Sequence, residues 1–160
     1  MKKHTSGINY QLTKGIHFHN ENWGYYILKE GELIKIIQKH TNGINYHIEK
    51  VQKFIEKNKN HLSIGLTIDG TKRKHDLNRV YKNSEKGSYD DVVKNIPLWQ
   101  SQFPGEGTKV TISSADIPYI CESVLHHYNL GIHIVNINCV FEDVWEDGDD
   151  KLFEEQLIKL

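Results

Sequence analysis

Apolar residues recur at two different spacings, and from residue 47 onward the two spacings alternate along the chain. Helical spacing comes first, at Ile48, Val51 and Ile55. A short apolar run with β-branched residues follows at 62–68 (LSIGLTI) and stops at an Asp-Gly pair. That pattern is typical of a strand that ends in a turn.

The same alternation continues to the last residue. The further predicted elements are a helix opened by Ser88 and Asp91 and ended by 103–105, a strand at 109–113, a helix from Ser114 to about Asn129, a strand at 132–141, and a helix from Asp149 to Leu160. Strands separated by helices favour a parallel sheet with right-handed crossovers. We therefore predict the α/β class, as a partial (β/α) TIM-type barrel fragment with parallel strands; an open α/β sheet is the alternative.

The beginning of the chain gives a weaker pattern. Residues 15–18 and 25–28 suggest short strands, whereas the apolar positions in 33–37 suggest one face of a helix. Residues 3–10 (KHTSGINY) return at 39–46 (KHTNGINY) with seven of eight positions identical. Because a solenoid needs about three copies or more, two copies indicate a local duplication.

Composition narrows the class of protein. The 160 residues are 38% hydrophobic and 26% charged, which is typical of one soluble globular domain. No apolar run approaches the ~20 residues of a membrane helix, and no apolar stretch after the first lysines resembles a secretory signal. Two cysteines are too few for a disulfide scaffold, so we predict a cytoplasmic protein without a membrane partner.

Charge is unevenly distributed between the two halves. Residues 1–80 hold 14 Lys and Arg against 7 Asp and Glu, and residues 81–160 hold 6 against 14. Such asymmetry sometimes marks a nucleic-acid-binding half. Here Arg73 and Arg79 are the only arginines, and the lysines of 50–59 alternate with glutamates as on a solvated helix face. We therefore predict no nucleic-acid partner.

Ten histidines raise the possibility of a metal site. His17 and His19 would share a strand face, and 126–133 contains three more histidines. A zinc site needs about four suitably spaced ligands, and no such set is present in the sequence. We predict no metal site made by these side chains.

The most specific signal lies at 65–72 (GLTIDGTK) and 75–79 (HDLNR). These segments resemble the middle of radical S-adenosylmethionine enzymes of the SPASM-containing kind. Three more segments agree with that family in the same order, at 87–96, 108–113 and 129–132. The resemblance is strongest to the peptide-maturase branch, which modifies bacteriocin-like precursor peptides.

The resemblance divides the chain and implies its ligands. Residues 41–160 resemble the central part of the barrel, and residues 1–40 match poorly. The family holds S-adenosylmethionine and a [4Fe–4S] cluster, and starts radical chemistry by reductive cleavage of the cofactor. The partner that the resemblance implies is a precursor peptide or a partner subunit.

One departure from the family concerns the cluster. The family binds it through Cys-x-x-x-Cys-x-x-Cys, because three thiolates hold three irons and leave the fourth iron for the cofactor. This sequence has only Cys121 and Cys139, and the SPASM cysteines are missing too. We therefore expect a truncated or remnant maturase, and we do not expect this chain to be enzymatically active on its own. The alternative is a non-catalytic α/β module that binds a peptide or partner protein.

Five residues are candidates for cofactor contact. Asp69 follows a predicted strand, at the end where barrel enzymes place active-site groups, although Asp-Gly is also ordinary turn chemistry. Thr67 lies on the same strand face by the two-residue period. Arg79 either faces a carboxylate in the barrel mouth or pairs with Asp76 on the surface.

The other two candidates are Asn136 and Asn138, which share one face of the last predicted strand. Polar residues on one face of a barrel strand are suited to line the interior above a cofactor. Alternatively, neighbouring backbone groups satisfy them.

Overall fold

A computed structural model describes residues 16–19, 24–29 and 32–160 of the chain. The first copy of the repeat, at 3–10, lies outside the described residues. The strands and helices, in chain order, are β1 (Ile16–His19), β2 (Gly24–Lys29), β3 (Glu32–Thr41), α1 (Glu49–Asn58), β4 (Leu62–Thr67), α2 (Lys72–Asn78), α3 (Tyr89–Val93), α4 (Ile96–Gln102), β5 (Thr108–Ile112), α5 (Ile120–Asn129), β6 (Val135–Cys139) and α6 (Asp149–Ile158). Short 3₁₀ helices precede β4 (Lys59–His61) and α5 (Ser114–Tyr119).

The described strands form one sheet whose spatial order equals their order in the chain. β1, β2 and β3 pair in antiparallel fashion, and β3, β4, β5 and β6 pair in parallel. Helical segments connect the four parallel strands, as expected for β/α crossovers. The predicted α/β class with parallel strands is confirmed, and the two strands suggested at 15–18 and 25–28 are present as β1 and β2.

The helix suggested for 33–37 is wrong, because these residues belong to β3. Ile34 pairs with Ile27 of β2, and Ile36 pairs with Tyr25. Periodicity cannot separate helix from strand in so short an apolar run. The extended form is favoured because isoleucine is β-branched and because β2 and β4 are available to pair on either side of β3.

The helix predicted from Ser88 is interrupted. It forms as α3 and α4, with Lys94 and Asn95 between them. The Asn95 amide donates to the carbonyls of Gly43 at 2.8 Å and Asp91 at 3.0 Å, and so ties the loop after β3 to this break. Ser88 does not cap α3, since its hydroxyl donates to the Arg79 carbonyl at 2.8 Å.

The helices cover one face of the sheet with an apolar core. Leu66, Ile68 and Trp99 are almost fully buried in it, and the Trp99 indole donates to the Ile64 carbonyl at 2.6 Å. Val110 and Ile112 of β5 extend the apolar layer under the 3₁₀ helix before α5. No helix in the described part of the chain combines the length and apolar character needed to cross a membrane.

Candidate ligand-binding site

The face of the sheet opposite the helices carries polar side chains, and we call it the polar face. Alternation along each strand puts Thr67 opposite the buried Leu66, and Lys109 opposite the buried Val110. The strand register then places other polar residues beside them. The members described are Gln38, His40, Ser63, Thr67, Lys109, Thr111, Asn136 and Asn138.

Gly65 makes the polar face shallow near its middle. It pairs with His40 of β3, and a Cβ atom added to Gly65 would lie 2.6 Å from His40 Nδ1 and 3.1 Å from the Gly107 carbonyl. The His40 imidazole therefore lies close over the backbone of β4. Any larger residue at position 65 would displace this ring.

The carboxyl end of β4 is held to β5 by Asp69. Its carboxylate accepts from the Thr111 backbone N–H at 3.2 Å and from Nη2 of Arg79 at 3.2 Å, and it also bonds Nε of Arg79. Asp69 is only 4% exposed, whereas the Arg79 side chain is 29% exposed. The pair thus joins α2 to two strands while one side of the guanidinium faces outward.

The Asp69-Gly70 turn itself needs glycine. Gly70 has a φ of +125°, which side chains of L-residues rarely allow. A Cβ atom there would also lie 2.1 Å from Ser123 Oγ on α5. The ordinary turn chemistry weighed for Asp-Gly is therefore present, and it also lets α5 approach the end of β4.

The surface pair considered for Arg79 is wrong. Asp76 lies 3.8 Å from Lys72 instead, and it accepts from the Tyr89 backbone N–H at 2.9 Å. Arg79 follows the end of the short helix α2, where the chain turns back toward the sheet. Its guanidinium therefore reaches Asp69 rather than a residue of its own helix.

A buried histidine supports the Asp69 turn. The Asp69 backbone N–H donates to Nδ1 of His75 at 3.1 Å, and Nε2 of His75 lies 3.1 Å from Ser88 Oγ. Since Nδ1 accepts, the proton of the neutral ring is on Nε2. Burial lowers the pKa of His75 to about 4, and the nearby Asp69 charge offsets only part of this effect.

Lys74 and Asp116 form a second buried charged pair, which the sequence patterns do not single out. Lys74 Nζ donates to the Thr111 carbonyl at 2.9 Å and lies 3.5 Å from the Asp116 carboxylate. Asp116 also accepts from the Ser113 backbone N–H at 2.8 Å. The capping-box spacing of Ser113 and Asp116 was a usable signal. No signal in the sequence indicated that Lys74 is buried, because lysine is almost never fully buried unless it is paired.

A cavity of about 350 Å³ opens at this end of the sheet. Its lining includes Asp69, Asn78, Arg79, Thr111, Ser113 and Asp116. Two of the five candidates, Asp69 and Arg79, therefore border it.

The other three candidates lie on the polar face itself. Thr67 and Asn136 flank Lys109 in the register, and Asn138 is next to Thr111. The Asn136 amide donates to the Thr108 carbonyl at 3.4 Å, as the backbone alternative proposed. The fold thus places Thr67, Asn136 and Asn138 on one sheet face, and Asp69 and Arg79 at the cavity beside it.

Similarity to solved structures agrees with this architecture. Native anSMEcpe with bound AdoMet matches with a TM-score of 0.62 and 18% identity, over 77% of this chain and 35% of that one. The same protein with bound AdoMet and Kp18Cys peptide matches with a TM-score of 0.61 and 17% identity, over 76% and 35%. With AdoMet and Cp18Cys peptide the values are 0.60 and 21%, over 77% and 36%.

The chain has the fold of part of anSMEcpe. At these identities the likeness concerns the fold, and the chain spans about a third of the length of the anSMEcpe structures. No family model matches the sequence, and no curated protein matches it either. The predicted α/β fold with parallel strands is therefore shared with part of anSMEcpe.

The two cysteines do not fit a [4Fe–4S] cluster on this anSMEcpe-like sheet. Cys121 lies on α5, where its Sγ contacts the Lys159 carbonyl at 3.6 Å. Cys139 pairs with Ile112, whose side chain belongs to the helix-covered core. Neither thiol lies on the polar face, and a cluster site needs three thiolates together.

The described histidines do not lie together in a group that could hold a metal ion. Within the described residues, no group of three or more His, Cys, Asp and Glu side chains is arranged to hold a metal ion. His126 lies 2.5 Å from the Tyr89 hydroxyl, and His127 is bonded to the Ser123 carbonyl. His17 and His19 lie in β1, for which only the backbone is described.

Proposed function

We propose that the chain is a radical S-adenosylmethionine-like protein that binds S-adenosylmethionine on the polar face. One observation carries the proposal: four parallel strands present an open row of hydroxyl and amide groups, in a fold shared with a protein solved with bound AdoMet. In open and barrel α/β folds, ligands bind at the carboxyl ends of such strands.

The residues on this face fit a polar cofactor. The Thr67 hydroxyl and the amides of Asn136 and Asn138 offer both donors and acceptors. Arg79 borders the cavity of about 350 Å³, and its side chain is partly exposed. We propose that these four groups hold the cofactor and that Asp69 positions Arg79. When bound, S-adenosylmethionine supplies radical chemistry once it is reductively cleaved.

We further propose a peptide as the second ligand, of the bacteriocin-precursor type that the resemblance implies. Two of the similar anSMEcpe structures contain a bound peptide, which supports this choice. In this proposal residues 41–160 form the barrel part, and residues 1–40 are an N-terminal segment that matches the family poorly. β3 runs from Glu32 to Thr41 and so connects the two.

Catalysis by this chain alone does not follow from these residues. A cluster would have to be held by cysteines other than Cys121 and Cys139. The proposal is therefore a maturase-like protein without its own Cys-x-x-x-Cys-x-x-Cys motif. The two free thiols are compatible with the reduced, cytoplasmic setting that we propose.

Equilibrium dialysis with S-adenosylmethionine tests the proposal. We expect saturable binding by the 160-residue chain. In a Thr67→Val, Asn138→Ala double variant we expect binding at least about tenfold weaker, because each substitution removes a polar contact with the cofactor. Asn60→Ala, at an exposed position outside the sheet, is the matched control and should bind like the wild type. Absence of binding by the wild type would contradict the proposal.

Anaerobic reconstitution with iron and sulfide tests the statement about the cluster. We expect no stoichiometric brown chromophore with absorbance near ~400 nm. A chromophore that survives in a Cys121→Ala, Cys139→Ala double variant would show that other side chains hold the metal. A chromophore lost in that variant would show that these two thiols contribute.

A second candidate is a non-catalytic module that binds a peptide or partner protein. Among the described strands, β6 has a neighbour on one side only, and Ile134 and Phe141 near its ends are exposed. Exposed strand edges favour pairing with another chain. Peptide binding by a protein that fails to bind S-adenosylmethionine would favour this candidate.

A further inference from the structure

We propose that Lys109 is a specificity-determining residue that recognises a carboxylate of the peptide ligand. This inference rests on the proposed function and deepens it, because it names the chemical group that the polar face selects. The carboxylate belongs either to an acidic side chain or to the C-terminus of a peptide.

Lys109 lies at the centre of the polar face. It pairs with Thr67 of β4 on one side and with Asn136 of β6 on the other. It is half-buried, so its long side chain rises between two neighbouring polar groups. An ammonium is a strong donor to a carboxylate, and the position of Lys109 beside Thr67 and Asn136 puts that carboxylate next to the proposed cofactor site.

Lys109 differs from the other buried or half-buried cations near this sheet. Lys74 is paired with Asp116 and Arg79 with Asp69. In the described part of the structure, Lys109 takes part in no hydrogen bond or ion pair with another side chain. A partly desolvated cation that forms no ion pair is costly, and an anionic ligand group would compensate it.

Two titratable groups lie close enough to influence this position. Burial lowers the pKa of His40, the positive charge of Lys109 lowers it further, and Glu106 raises it. The Glu106 carboxylate is engaged by the Ser63 hydroxyl at 2.6 Å. The imidazole is therefore neutral near pH 7, and it does not compete with Lys109 for an anion.

Three small probes separate the possible sources of the carboxylate. N-acetylglutamate N-methylamide carries only a side-chain carboxylate, N-acetylglycine carries only a terminal one, and N-acetylglutamine N-methylamide is neutral. Titrations of the labelled 160-residue chain are followed by NMR at the backbone amides around Lys109 and at the His40 ring. We expect saturable shifts with at least one acidic probe, no saturation with the neutral probe, and a rise in the His40 pKa as the bound anion neutralises Lys109.

The variants isolate the charge of Lys109. Lys109→Gln should weaken binding of the acidic probe about tenfold or more, and Lys109→Arg should retain it within about threefold. Lys39→Gln is the matched control, since Lys39 pairs with the core residue Ile64 and lies on the other side of the sheet. It should bind like the wild type.

Several outcomes overturn the inference. They are equal binding of the neutral probe, unchanged binding in Lys109→Gln, and no saturable binding of either acidic probe. Loss of S-adenosylmethionine binding in Lys109→Gln would also overturn it, because Lys109 would then belong to the cofactor site. If the wild type binds S-adenosylmethionine but no carboxylate, this inference alone fails; if it binds no S-adenosylmethionine, the proposed function fails.

Discussion

The two faces of the sheet share the same strands but differ in chemistry. On the helix-covered face, Leu66 and Ile112 have almost no exposed surface. On the polar face, their neighbours in sequence are Thr67 and Thr111, which remain partly exposed. Because successive side chains point to opposite sides of a strand, one segment of five residues contributes both to the core and to the open surface.

The strand sequences reflect this difference. Parallel strands that are buried on both sides read as nearly continuous apolar runs. β5 (TKVTI) and β6 (VNINC) alternate instead. Their alternation means that only one face is covered by helices, and the other face is available to a polar ligand. Four predictions test whether stability depends mainly on the covered face.

Trp99→Ala should have the largest effect, because Trp99 is 1% exposed and fills the core beneath β4. We expect the free energy of unfolding to fall by about 4 kcal/mol, as for other buried aromatic truncations. Urea denaturation measures it. Trp145→Ala is the control, since Trp145 is 38% exposed and should lose about 1 kcal/mol or less. Equal losses would contradict the assignment of the core.

Acidification should destabilise the protein through His75. The unfolded ring takes up a proton below about 6.5, but the folded ring does so only near its pKa of about 4. In this window the unfolded state binds more protons, so stability falls as the pH falls, by up to about 3 kcal/mol.

Urea unfolding of the wild type and of His75→Gln at pH 7 and pH 4 measures this contribution. The variant should lose less stability between the two pH values. His61→Gln, at an exposed position, should retain the pH dependence of the wild type. A pH dependence unchanged in His75→Gln would refute the role of this ring.

Arg79→Ala should remove the link between α2 and the strands β4 and β5. The substitution leaves the buried Asp69 carboxylate with only the Thr111 N–H. We expect a loss of about 2 kcal/mol in the free energy of unfolding, less than for a fully buried pair, because Arg79 is partly exposed. Lys72→Ala, in the exposed pair with Asp90, is the control and should show no measurable change. A loss no larger than that of the control would contradict the linking role.

Asn138→Ala should have the smallest effect on stability. Asn138 is exposed on the polar face, so the free energy of unfolding should change by no more than about 0.5 kcal/mol. Thermal unfolding with and without S-adenosylmethionine measures the Tm of the free protein and the rise in Tm caused by the ligand. The ligand-induced rise in Tm should shrink while the Tm without ligand stays the same. A large drop in the latter would mean that the polar face is structural.

The elements that the sequence predicted best are those whose apolar residues form one clear local pattern. α1 and β4 were recognisable because apolar residues recur at one clear spacing over each. Helix α2 (KRKHDLN) was not predicted because its sequence is polar almost throughout. Its burial depends on polar contacts that Lys74 and His75 make with other segments. The break between α3 and α4 at Asn95 was not predicted either, since it depends on the Gly43 carbonyl, in a loop about fifty residues earlier.

The candidate site was predictable to a similar degree. The period of two put Thr67 and Asp69 on one side of a strand, and Asn136 and Asn138 on one side of another. Their placement on the same sheet face required the register between strands, which local sequence does not contain. Local sequence also could not predict the ion pair of Asp69 with Arg79, because it left open whether Arg79 pairs with Asp76 or with a carboxylate in the barrel mouth.

By itself, the sequence determined the α/β class, the alternation of core and polar positions, and the lack of a cysteine triplet. These depend on residue type and on spacing along the chain. Only the tertiary structure decided that 33–37 is a strand, that Arg79 pairs with Asp69, and that Lys109 lies between Thr67 and Asn136. Each of these depends on which distant segment is adjacent in the sheet, and that is decided by burial of the whole core rather than by local pattern.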